Sequence, residues 1–558
     1  MSNIFLNNSI NTYLDLGGAL SAFGLTFAAY QLRKPKWELA LRIRSFWQRN
    51  LFWIFSGVGL LLILIETLLI QSNFINNLPG ILSQSIFYEI SAYIFFILSP
   101  ISLIYFSTKT NKLFNKNTQQ RFYELLVLYI SKATEDHVNA GFDLLINNFE
   151  NICSYIKNEK DNRYAKAILD VILSDESVVK ILTTKRIDSL SYIFSILEKY
   201  SISNKDTGLD ISKIIQGLFF NKDSFLYKQL KEDGLALPFN IYEIIFSSVK
   251  IMNNFDIFRY LKSDYKALND IDTQGVEVII KSLSKSIETY LLSGEIYAGK
   301  INQGLDCLND VFRDTCYKIS QEETRGVDTN YYLKDEWRRL DLMTNFIGRD
   351  YYLCLNRGEK IDDNIKEKEK NASNGTFESS DAINDGVAEF IYEAFQSLSH
   401  INTSTYGLVL NLLWGMTYKP PLTDLMEGYR DLFEKKLWEQ IKHNVVDRYY
   451  PDVLKIYLQF IGCSLVLDTQ DSGWIGEQTE KMRRLLYVDL KPKFDSGMGM
   501  VNGEKMQDKL LPKSMEYKNN NFIYKLDDGK GREKIINQPA EGSLPVFDTL
   551  EEVTSEPN

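Results

Sequence analysis

The sequence predicts an all-α membrane protein: three N-terminal transmembrane helices followed by a large cytoplasmic helical domain, bundle-like or solenoid-like. Three observations carry this. Long apolar runs are confined to the first 106 residues of the 558-residue chain. The charge is divided, with nine Lys/Arg against four acids in residues 1–120. That is +5 in a chain of net −10, which leaves −15 on the remaining 438 residues. Beyond residue 119, apolar side chains recur at three- and four-residue spacing and strand-like alternation is scarce.

Crossing a bilayer takes about 20 consecutive apolar residues. Leu51–Ile70 and Ile86–Phe106 meet that length, and Tyr13–Tyr30 is a third, less apolar span rich in small residues. Gly17/Ser21, Gly18/Ala22 and Gly24/Ala28 in the first span are small residues spaced by four, which suits close approach of another helix or a second copy. The segments after the first and third spans carry six and four Lys/Arg, whereas the N-terminus and residues 71–85 carry none. The positive-inside bias then places the N-terminus outside and everything after Phe106 in the cytoplasm, in a plasma or inner membrane.

The basic loop 33–49 is expected to lie on the inner headgroup layer. Leu39, Ala40, Ile43, Phe46 and Trp47 share one helical face, with Glu38, Arg42, Ser45 and Arg49 opposite. Its cations Arg33, Lys34, Lys36, Arg42, Arg44 and Arg49 are the candidates to face anionic lipid. A positively charged turn that merely sets topology is the simpler alternative. Three acids fall at similar depth near the outer face: Asp15, Glu66 and Glu89. Each reaching the outer interface separately is the plainer reading; a carboxylate ring at the mouth of a cation path is the functional one.

The membrane part thus covers 1–118. A helical block at 119–355 follows, with a charged, Ser/Asn/Gly-rich mobile linker at 356–386. A second helical block at 387–490 has aromatics (Trp414, Trp438, Tyr449, Tyr450, Tyr457, Phe460) that suit a core. Residues 491–558 read as a loosely ordered tail with one hairpin near NNFIYKLDDGKGREKIIN.

Catalytic patterns are absent. SGMGMVNGEK and DDGKGREK do not follow a strand or match a phosphate loop. Asp424 with Glu434-Lys435-Lys436 falls on a helical pattern, no GxSxG elbow exists, and Asp136-His137 reads as a helix start. Five scattered cysteines and three histidines without ligand spacing give no metal site and no expected cofactor. The acidic C-terminal part disfavours nucleic acid. The expected partners are membrane lipids and a protein, or a second copy of the chain. Function is expected to be that of a membrane-anchored helical scaffold or sensor. The alternative is an oligomerising effector that perturbs or conducts ions across the membrane.

Overall fold

A computed structural model describes residues 35–71, 81–110, 112–132, 134–158, 162–203, 211–231, 240–293, 298–325, 333–350, 381–398, 474–495, 514–525 and 533–539, with isolated positions between 401 and 461 and between 500 and 512. These residues are mostly helical, with a few short strands near the C-terminal end. The chain divides into two compact units, Met1–Gly217 and Leu218–Asn558. The boundary falls inside the block that the sequence pattern marks as 119–355.

The first unit opens on α1 (Pro35–Ile43), whose proline occupies the first helical turn, where a missing N–H costs nothing. Glu38 and Arg42 pair at 2.6 Å along its exposed side. The chain breaks at Arg44, and Ser45 restarts it as α2 (Phe46–Gln71). Helix α3 (Ile81–Thr108) runs unbroken through Pro100. Next come α4 (Gln119–Ser131), α5 (Glu135–Ile146), α6 (Phe149–Asn158), α7 (Arg163–Ser174), α8 (Glu176–Thr184) and α9 (Ile187–Lys199). Each packs on near neighbours: α4 on α5 and α7, α7 on α6 and α8, α9 on α6 and α8. Asp175 separates α7 from α8 by capping the latter, accepting from the Ser177 and Val178 amides at 3.0 and 3.1 Å.

The basic loop departs from expectation. The sequence suggests one amphipathic helix over 36–49 with its apolar face in lipid. Instead Leu39, Ala40 and Ile43 are fully buried in protein, because α1 lies against α4 and α5. Only Phe46 and Trp47, beyond the break, remain outside, at 61% and 71% exposed. Shape decides this: the same stripe that could lie on lipid fits between two helices that have their own apolar stripes to cover.

In the second unit α10 (Ala298–Thr324) is a central spine. It touches α11 (Lys334–Asn345), the helices Ile257–Ser263 and Thr273–Ser293, and α12 (Asp381–Leu398). Its buried Ile301, Leu305, Leu308, Phe312, Cys316 and Ile319 repeat at helical spacing. Gly304 permits a close approach, since a β-carbon there would stand 2.7 Å from Leu283 and 3.2 Å from the Phe258 ring. Helix α12 begins at Asp381, so residues 381–386, assigned to the linker from composition, are its first turns. Ile383 and Val387 anchor them in the core. Trp438 and Tyr457 are buried as expected, and both donate to the Gln478 side-chain oxygen, at 3.2 and 2.8 Å. Trp414, Tyr449, Tyr450 and Phe460 lie outside the described residues.

The tail holds more order than its composition implies. Strands β1 (Met515–Lys518), β2 (Asn521–Lys525) and β3 (Glu533–Ile535) form an antiparallel sheet in that order. Asn519 and Asn520 both have positive φ (53° and 65°), the turn that matches the twist of a two-residue hairpin. Phe522 packs on Tyr487, whose hydroxyl donates to the Ile536 carbonyl at 2.7 Å and ties the sheet to the helices.

Candidate functional site

Helices α2 and α3 form an antiparallel hairpin. Its register is set by Phe55 against Phe95 and by a Ser56–Ser99 hydroxyl pair at 2.7 Å. Ser99 is buried and donates to the Phe52 carbonyl at 2.9 Å, so Ser56 must donate to Ser99. Beside this polar clasp, apolar side chains stand uncovered on both helices. Leu60, Leu61, Leu64 and Leu68 of α2 and Ile90, Ile94, Ile97 and Ile101 of α3 are exposed. Among the described residues one helix, Phe46–Ile65, is long and apolar enough to cross a membrane, and only 11% of its apolar window is buried. Ile90–Ser102 is apolar over a shorter stretch. The described part therefore holds one segment of crossing length where the sequence reading has two, at 51–70 and 86–106. The surviving segment starts five residues early because Ser45 starts the helix. Soluble cores bury such helices, and monomeric proteins seldom expose apolar patches on this scale.

The root of the hairpin is built differently, from polar groups that bond one another across long stretches of sequence. Arg44 is buried, and its guanidinium donates to the Phe106 carbonyl at 2.9 Å and to the Lys109 carbonyl. Its plane also lies 4.9 Å from the Phe106 ring centre. Phe106 is in the last turn of α3, where carbonyls lack helical donors and the helix dipole favours a cation. Burial pulls the Arg44 pKa down from its ordinary value, yet a guanidinium starts high enough to stay charged. Arg44 thus caps α3 from the junction of α1 and α2. Leu41, Phe52 and Phe106 close the apolar side of the same junction.

Asn148, buried between α5 and α6, fastens the chain that leaves α3. Its oxygen accepts from the Leu113 and Phe114 amides at 2.7 and 3.1 Å; its nitrogen donates to the Thr110 and Leu144 carbonyls at 2.9 and 2.8 Å. All four of its hydrogen-bonding positions are used. This holds Lys112 in the left-handed region (φ 61°), a conformation that costs a non-glycine residue about 1 kcal/mol or more. A third tie runs from α1: Lys36 pairs with Asp143 at 3.2 Å, and Arg186 pairs with the other Asp143 oxygen at 3.1 Å.

Of the residues singled out by sequence, Asp15, Gly17, Gly18, Ser21, Ala22, Gly24, Ala28, Arg33 and Lys34 lie outside the described residues. Glu66 is in α2 and Glu89 in α3. Carrying the Ser56–Ser99 register ten residues along both helices brings these two positions to one level. Among the candidate lipid-facing cations, Lys36 is bound to Asp143, Arg42 to Glu38, and Arg44 to backbone carbonyls. Arg44 spends its Nε and one Nη on the junction. Arg49 lies 5.9 Å from the Phe46 ring centre. Sequence reading missed Asn148 and Asp143; the only signal was an Asn-Asn break between two apolar helices. His137 does sit at a helix start, its Nδ1 2.6 Å from the Thr134 hydroxyl.

The second unit gathers Asp306, Asp310, Glu389 and Glu393 where α10 meets α12. Lys262 reaches Asp310 at 3.4 Å, Arg313 reaches it at 2.7 Å, and Asn309 donates to Glu393. Burial first, then neighbouring carboxylates, raise the pKa of Asp306 and Glu393. Among the described residues no group of His, Cys, Asp and Glu could hold a metal ion. Burial also raises the thiol pKa of Cys153, Cys307 and Cys316, as suits packing residues rather than nucleophiles.

Arg44→Met is expected to lower the stability of the first unit by about 2–3 kcal/mol, since it removes charged donors from two carbonyls. Arg44→Lys should recover less than half, because one ammonium cannot span both acceptors. Thermal unfolding of the full chain in detergent measures both. Comparison of the sequence with protein-family models and with curated proteins finds no match in either.

Proposed function

We propose that this chain is a multi-pass membrane protein whose helical units form a cytoplasmic scaffold or sensor for a protein partner. The observation that carries the reading is the hairpin: an apolar exterior left uncovered along α2 and α3, rooted in polar contacts from Arg44 and Asn148. The Lys/Arg distribution supports a cytoplasmic location for α1 and for everything after α3, and Tyr13–Tyr30 supplies a further span. Clefts between stacked helices suit a partner's amphipathic helix or peptide.

A second reading is favoured by one observation, the shared level of Glu66 and Glu89. In an assembly of several copies these positions, with Asp15, would form rings of carboxylate near the outer face, as an ion-conducting effector needs. Packing through Gly17, Gly18, Ser21, Ala22, Gly24 and Ala28 would assemble the copies.

Two measurements test the proposal. Alkaline extraction of membranes from expressing cells should leave the full chain in the pellet; release into the supernatant overturns the membrane assignment. Membrane potential and growth then separate the two readings. An inert full chain that crosslinks to a cytoplasmic protein supports the scaffold. Depolarisation that disappears in Glu66→Gln plus Glu89→Gln supports the effector.

A further inference from the structure

We propose that the root of the hairpin is a binding surface for anionic phospholipid, formed by Arg49, Lys109, Lys112 and Lys116 beside the ring pair Phe46 and Trp47. This rests on the membrane reading and replaces the cations of α1, which the fold commits to protein partners.

Four observations converge. First, no Asp or Glu occurs between Arg44 and Ile65 or between Ile90 and Tyr123. The stretches entering α2 and leaving α3 therefore carry one sign of charge in a chain that is acidic overall. Second, among the described residues none of the four cations has an ion-pair partner. Arg49 rests against the Phe46 ring, the Lys109 ammonium donates to the Tyr105 hydroxyl at 2.6 Å, and Lys112 and Lys116 are exposed. Third, they share one end of the hairpin. Arg44, two residues before Phe46, bonds the carbonyls of Phe106 and Lys109, which brings the start of α2 to the end of α3. Fourth, the surface is pre-formed: Asn148 grips the backbone just after Lys112, so presenting that lysine costs little further ordering.

Phe46 and Trp47 stand edge to face, 6.1 Å apart, and are exposed at the level where the apolar helix begins. Aromatic rings with a polar edge prefer that headgroup depth. Cations just beyond it meet lipid phosphates, and each basic residue near an anionic leaflet favours binding by about fivefold. The fixed cations lie on a surface continuous with the apolar hairpin, which fits the phosphates of a bilayer rather than a free phosphate.

The test uses the full chain reconstituted into phosphatidylcholine vesicles with brominated phosphatidylglycerol or brominated phosphatidylcholine at equal mole fraction. Trp47→Phe is subtracted to isolate the Trp47 fluorescence. Brominated phosphatidylglycerol is expected to quench Trp47 at about a tenfold lower mole fraction, with the preference fading as salt rises. Free glycerol phosphate should not compete. Replacing Arg49, Lys109, Lys112 and Lys116 with Gln should abolish the preference. Lys109→Arg, Lys112→Arg and Lys116→Arg together should retain it, which guards against a folding defect. Equal quenching by the two lipids, or a preference that survives the Gln variant, overturns the inference. Failure of the chain to float with vesicles would instead overturn the membrane reading on which it rests.

Discussion

Leu39→Asp is expected to unfold the helices of the first unit that follow the hairpin. Leu39 has no exposed surface, and Ala40 and Ile43 beside it have almost none. Large-to-small replacement of a buried leucine costs about 2–5 kcal/mol. A carboxylate at the same place adds several kcal/mol for desolvation without a partner. The sum reaches the whole stability of an ordinary domain, about 5–15 kcal/mol. Limited proteolysis of the full chain in detergent should cut Leu39→Asp rapidly within residues 119–217, where the parent resists. Glu38→Gln, one position earlier, removes an exposed pair with Arg42 and should cost less than about 0.5 kcal/mol. If Leu39→Asp resists proteolysis as the parent does, α1 is not part of the core and belongs on lipid. The same logic predicts that a fragment beginning at Gln119 lacks a packing element as well as an anchor.

Asn148→Leu is the second large effect. The two side chains have similar volume, so little cavity is created. The buried Leu113 and Phe114 amides lose their acceptor and the Thr110 carbonyl loses its donor. At about 1–3 kcal/mol for each buried polar group left unpaired, the expected loss is about 3–5 kcal/mol. Hydrogen exchange localises it: the Leu113 and Phe114 amides should lose far more protection than the core amides of α9. Asn148→Asp keeps the acceptor and loses both donors, so it should fall between the parent and Asn148→Leu. Unchanged exchange at Leu113 and Phe114 would remove Asn148 from its fastening role.

Helical character was legible because its signal is local. Spacing along Ile301, Leu305, Leu308, Phe312 and Ile319 needs no knowledge of what lies across from it. The course of α1 was not legible, because an apolar stripe records only that something covers it. Lipid and the flank of α5 are equivalent partners in composition, and only the position of α5 in space separates them. Asn148 was hidden for a related reason: its four bonds reach 4 to 38 residues away, and none leaves a periodic trace. The strand β1 was missed next to KNNN because paired positive-φ asparagines announce a hairpin less plainly than Asn-Gly does.

The clasp at Arg44 also sets an order of events during synthesis. Its carbonyl acceptors emerge about 60 residues after it, and Asn148 follows the amides it holds by about 35. The hairpin and its Arg44 clasp are therefore complete before Asn148 exists to fasten the chain beyond them. On the proposed membrane reading, entry into the bilayer relies on the apolar surface of α2 and α3, with the Asn148 lock as a separate, later step. Weakening the lock should then leave insertion efficiency unchanged and shorten the lifetime of the inserted protein.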